Sequence, residues 1–109
     1  MPPDSDDDLV IERGVKVEPA KPKLEKPPMY KVILLNDDYT PMEFVVHVLE
    51  SIFGIEPERA IQLMLAVHTL GSATIAIYPR EIAETKSERV NAYAQQNNHP
   101  LLSKIEKTD

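Results

Sequence analysis

Apolar positions are sparse up to Pro28 and from there fall into short runs and helical stripes. YKVILL, Tyr30 to Leu35, has the pattern of a strand, and Val32 to Leu35 is apolar on both faces, which predicts a central strand. Thr40-Pro41-Met42-Glu43 has the form of a capping box: Thr40 at the N-cap accepts from the Glu43 backbone N–H, Glu43 reaches back, and Pro41 at N1 loses nothing. The helix this opens runs to about Gly54, with Phe44, Val45, Val48, Leu49, Ile52 and Phe53 on one stripe and Gly54 as its stop. Pro57 opens a second helix, ERAIQLMLAVHTL, and Gly71 closes it. Ala73 to Tyr78 (ATIAIY) is a short strand. Arg80 to about Gln96 is a third helix with Glu81, Glu84, Lys86, Glu88 and Arg89 outside. His99-Pro100 then breaks the chain before a last short strand over Leu101 to Ile105. The order β-α-α-β-α-β predicts an α/β two-layer sandwich, a three-stranded antiparallel sheet packed by three helices.

Composition sharpens this. A chain of 109 residues makes one compact domain. Residues 1–28 carry six of the ten prolines with seven acidic and five basic residues, too little apolar surface to offset ordering entropy. We therefore expect a disordered extension over 1–28 and one folded domain over 29–109, with no internal repeats. The core must be aliphatic, because there is no Trp and aromatic residues make up only 6%. Net charge is -6 with no Lys/Arg cluster, which argues against a nucleic-acid partner. Absent cysteine excludes disulfides, thiolate metal sites and a cysteine nucleophile. No apolar run nears the roughly 20 residues of a membrane span, and the acidic start lacks signal-peptide layout, so a cytoplasmic protein is expected.

Enzyme signatures are missing: there is no HExxH, no Walker loop and no GxSxG, with three glycines in all. Asn36-Asp37-Asp38 is first of all a turn, since Asn and Asp bond nearby backbone and acidic residues suit a helix N-terminus. The surplus is notable, because three acceptor-rich residues precede a helix that already has a cap in Thr40 and Glu43. His68 reads first as a helix C-terminal dipole partner or a surface residue. Met64, Val67 and His68 nevertheless stand at i, i+3 and i+4, so one face offers two apolar groups beside an imidazole. An Asp37–His68 acid–base pair is the enzymatic alternative, and a plain interaction domain with an unused pocket is another. His47 and His99 attract no role.

MYKVILLNDDYTPMEFVVHVLESIFG, followed by RAIQLMLAVHTLG, EIAETK and NNHPLL, closely resembles the ClpS family of bacterial proteolytic adaptors over roughly residues 28 to 107. The resemblance implies the sandwich inferred above, a fold that also looks like the C-terminal domain of the ribosomal stalk protein. It further implies a non-enzymatic, cofactor-free adaptor, expected as a monomer. Such an adaptor binds proteins with an N-terminal Leu, Phe, Tyr or Trp (N-end-rule substrates) and hands them to the ClpA unfoldase of the ClpAP protease. By the same resemblance Asn36, Asp37 and His68 hold the substrate's α-amino group, with Asp38 adding negative potential. Leu34, Thr40, Met42, Val45, Met64, Val67 and Leu101 correspond to the side-chain pocket, where Met42 excludes β-branched residues. Glu81 and Lys86 match contacts to the ClpA N-terminal domain; without the resemblance they read as an ordinary solvated face. The extension matches the family's delivery segment in position alone. Departures are Ala76, where the family often has Gly, and Pro79, where a Thr or Ser cap is common.

The implied chemistry is sound on its own terms. An ammonium is three donors and no acceptor, so burying it demands acceptors around it, which an Asn carbonyl, a carboxylate and a neutral imidazole supply.

Overall fold

The computed structural model describes residues 27–109. Six elements follow in order: β1 (Met29–Leu35), α1 (Met42–Phe53), α2 (Pro57–Leu70), β2 (Ser72–Pro79), α3 (Arg80–Gln96) and β3 (Leu102–Lys107). The sheet is antiparallel with strand order β2-β1-β3, so the YKVILL strand is central as its two-sided apolar pattern requires. All three helices pack on one face, around a core in which Leu34, Val48, Leu49 and Val90 are fully buried. The extension expected over 1–28 lies outside the described residues, apart from Pro27 and Pro28.

Strand β2 contains a register shift the sequence did not announce. Val32 pairs with Ala76 and Ile33 with Thr74, so Ile75 is an extra residue on β2. The bulge swaps the alternation in mid-strand. Ala73 and Ile75 face the helices on one side of it, Ala76 and Tyr78 on the other, and Ile77 is left half exposed.

Helix ends follow the glycines but not the expected cap. Gly54 and Gly71 close α1 and α2 at φ 67° and 92°, a left-handed conformation that only glycine adopts cheaply. None of the three described helices has a side-chain N-cap hydrogen bond. The capping box at Thr40 and Glu43 is not formed. The N-cap is Pro41, and the Thr40 hydroxyl is already committed elsewhere, donating to Asp37 Oδ2 at 2.8 Å. Proline does the opening instead: Pro41 and Pro79 are the N-caps of α1 and α3, and Pro57 is the first residue of α2. The missing cap at Pro79 is therefore no defect peculiar to α3.

Strand β3 is fastened to α3 by side chains. Asn91 Oδ1 accepts from the Ser103 N–H at 2.7 Å, and Asn91 Nδ2 donates to the Ser103 carbonyl at 3.3 Å. The buried hydroxyls of Ser87 and Ser103 meet at 2.7 Å. On the edge of the sheet away from β1, the Asn91 carboxamide thus takes the place of a neighbouring strand at this residue.

Candidate functional site

Strand β1 ends at Leu35, and the next residue is fixed by a single backbone bond. The Asn36 N–H donates to the Gly71 carbonyl at 2.9 Å, tying the β1–α1 loop to the end of α2. Gly71 lies three residues beyond His68, so the left-handed stop of α2 is what brings the imidazole next to Asn36.

Asp37 organises the rest of the loop. Its Oδ1 accepts from the backbone N–H groups of Tyr39 at 2.8 Å and Thr40 at 2.7 Å, and its Oδ2 accepts from the Thr40 hydroxyl at 2.8 Å. Burial by itself pushes this carboxyl up, but the Thr40 and Tyr39 backbone bonds, the Thr40 hydroxyl and the charge of His99 together outweigh it. The net effect holds Asp37 below the ordinary carboxylate range. An ionised carboxylate offers about four lone-pair sites. Three are used within the loop, which leaves one on Oδ2 for a ligand.

These groups open onto one cavity of about 170 Å³, lined by Leu35, Asn36, Asp37, Asp38, Thr40, Met42, Val45, Met64, Val67, His68 and Leu101. Its interior is apolar: Val45, Met64, Val67 and Leu101 are all buried. Met42 stands at the mouth, about half exposed. The volume suits one bulky side chain, since a dry apolar cavity of about 150 Å³ takes up a benzene molecule. A carboxylate pair and a carboxamide at the mouth with hydrocarbon inside is an arrangement for a cation carrying an apolar group. Among the described residues no cluster of three or more His, Asp or Glu could hold a metal ion.

Ten of the eleven residues expected at the site line this cavity, and Leu34 does not. Leu34 is wholly buried in the core among the helices, because neighbouring strand residues face opposite ways and its direction is inward. Leu35 takes its place in the lining. Two residues the sequence gave no role now bear on the site: Leu35, and His99, whose charge reaches Asp37 from 62 positions away in the chain. Strand alternation separates Leu35 from Leu34 without choosing between them, and nothing local signalled His99. The Asp37 carboxylate makes its hydrogen bonds to Tyr39 and Thr40, and none to His68, so the acid–base pair is not assembled.

Glu81 and Lys86 sit at the other end of the sheet. Glu81 is exposed in the first turn of α3, and Lys86 Nζ donates to the Ile52 carbonyl at 2.7 Å, at the end of α1.

Comparison with known proteins gives three agreeing results. A family model described as ATP-dependent Clp protease adaptor protein ClpS matches residues 25–104. A Methylococcus capsulatus protein, named ATP-dependent Clp protease adapter protein ClpS, is 54% identical over 93 residues, 85% of this chain and 88% of its own. The solved structure of Agrobacterium tumefaciens ClpS2 bound to L-phenylalaninamide superposes with a TM-score of 0.75 at 38% identity, covering 76% of this chain and 100% of that one.

Proposed function

Because this chain belongs to the ClpS family of Clp-protease adaptor proteins, we propose that its cavity reads the first residue of a substrate chain by the free α-amine and a bulky side chain together. The observation that carries this is the spare acceptor capacity at the mouth of an apolar cavity. The ammonium donates to the Asn36 carboxamide oxygen, the open lone pair of Asp37 Oδ2 and a neutral nitrogen of His68. Asp38 contributes potential. The side chain of Leu, Phe, Tyr or Trp enters between Val45, Met64, Val67 and Leu101, contributing roughly 1.5–3 kcal/mol by burial. Met42 at the mouth excludes residues branched at Cβ. The A. tumefaciens relative supports this reading, since L-phenylalaninamide has a free α-amine, a benzyl group and an amide where a peptide would continue.

Neither half of the ligand suffices alone, and blocking the amine leaves desolvated acceptors without a donor. The protein performs no chemistry on its ligand. It acts as a cytoplasmic monomer that passes the bound protein to the ClpA unfoldase, with Glu81 and Lys86 on the docking face. Fluorescence anisotropy decides the matter. A labelled peptide beginning with free Leu or Phe binds, while its acetylated and Met-extended forms do not; equal binding of all three would sink the reading.

A further inference from the structure

The described residues include Met29, Met42 and Met64, and the fold treats their thioethers differently. Met64 of α2 is 8% exposed and belongs to the core as well as to the cavity. Met29 opens β1 at the far end of the sheet, 36% exposed and outside the cavity lining. Met42 combines two conditions that neither of the others meets, since it lines the cavity and is 49% exposed. It is the first residue of α1 and takes no part in the buried cluster that holds the helices to the sheet. A change in its polarity therefore reaches the cavity mouth without entering the core.

Resting on the amine-binding reading, we propose that Met42 is a modification site: oxidation of its thioether by a hydroperoxide makes the cavity mouth polar and weakens the hold on bulky apolar N-terminal residues. A sulfur lone pair attacks the terminal oxygen of the hydroperoxide, so an S–O bond forms as the O–O bond breaks. The proton on the transferred oxygen passes to the departing one. Sulfur is oxidised by two electrons and the hydroperoxide is reduced to water or an alcohol, with no further reactant. Asp37 and Asp38 border the same mouth, and their carboxylates repel anionic oxidants, which favours an uncharged hydroperoxide. The product is a polar acceptor where a soft apolar group stood. An incoming side chain strips water from that oxygen, while Val45, Val67 and Leu101 inside offer it no side-chain donor. Met64 is shielded by its burial, so the exposed sulfur takes the oxygen first. Methionine sulfoxide reductases reverse the change, which makes the gate resettable.

The test treats the full chain with hydrogen peroxide and maps each methionine by mass spectrometry. Met42 should gain oxygen well before Met64. Affinity for a peptide beginning with free Phe should fall in proportion to Met42 sulfoxide, by about five- to tenfold, as for a partly buried acceptor left unpaired. Sulfoxide reductases should restore it. In Met42→Leu, peroxide still oxidises Met29, but peptide affinity, whatever its starting value, should not change on treatment. A peptide-free measurement covers failure of the amine-binding reading, which would show as equal binding of free and acetylated peptides. Benzene uptake by the cavity, followed on the methyl signals of Val45, Val67 and Leu101, should weaken on oxidation in wild type and not in Met42→Leu. The proposal is overturned if Met64 oxidises as fast as Met42, or if peroxide weakens Met42→Leu as much as wild type. Affinity unchanged or raised once Met42 carries oxygen overturns it as well.

Discussion

The two ends of β1 lie about 20 Å apart, six steps of roughly 3.3 Å between its seven residues, and they treat polar groups in opposite ways. At the Met29 end two cations are engaged locally. Arg80 pairs with Glu84 at 3.0 Å and lies over the Tyr30 ring at 5.7 Å, while Lys86 bonds the Ile52 carbonyl and lies over Tyr78 at 5.9 Å. At the Leu35 end Asn36, Asp38 and His68 border a void, and Asp37 keeps an acceptor site in reserve. Both ends are rich in charge. The Leu35 end differs in combining unspent hydrogen-bonding capacity with an apolar hollow.

The strongest way to break this contrast is Leu101→Ala, because Leu101 belongs to core and cavity at once. It should cost about 2–5 kcal/mol of stability in urea unfolding and weaken peptide binding as well. Asp37→Ala comes next. Losing one charged hydrogen bond to the ammonium removes about 1.5–3 kcal/mol, tenfold or more in anisotropy-measured affinity, and the loop bonds to Tyr39 and Thr40 go with it. At the opposite end, Lys86→Met should lower stability by about 1 kcal/mol while leaving peptide affinity intact; a loss of affinity there would erase the distinction between the ends.

Acid sharpens the comparison further. The Asp37 carboxyl is lowered in the folded state, so its stabilising contribution is present above the ordinary carboxylate pKa and lost as pH falls through the folded one. The difference in urea midpoint between wild type and Asp37→Asn should therefore shrink below about pH 4. His68→Ala should weaken binding of the free-amine peptide, since the imidazole is proposed to accept from the ammonium. Affinity unchanged by that substitution would remove His68 from the amine site. Arg80→Ala, finally, should leave both melting and binding unchanged.

Much of this was legible in the sequence because the signals were local. A run apolar on both faces marked β1 as central, and Gly54 and Gly71 marked where helices end. The capping box failed for an instructive reason: Thr40 had two possible partners within three residues, and the carboxylate behind it won over the helix ahead. Asp37, which looked like surplus beside a capped helix, is the group that shapes the loop. The β2 bulge depends on what another segment places alongside, and no spacing within β2 encodes that. Leu34 and Leu35 lie between these cases, since alternation separates them but does not say which one borders a cavity.

The clasp of Asn91 on Ser103 has one more consequence. Edge-to-edge growth of sheets into ribbons requires every copy to offer two free sides. Here the β3 side is capped at Ser103 by a side chain of the same molecule. An incoming strand would find the N–H and C=O of Ser103 already taken, which disfavours growth of the sheet from this edge.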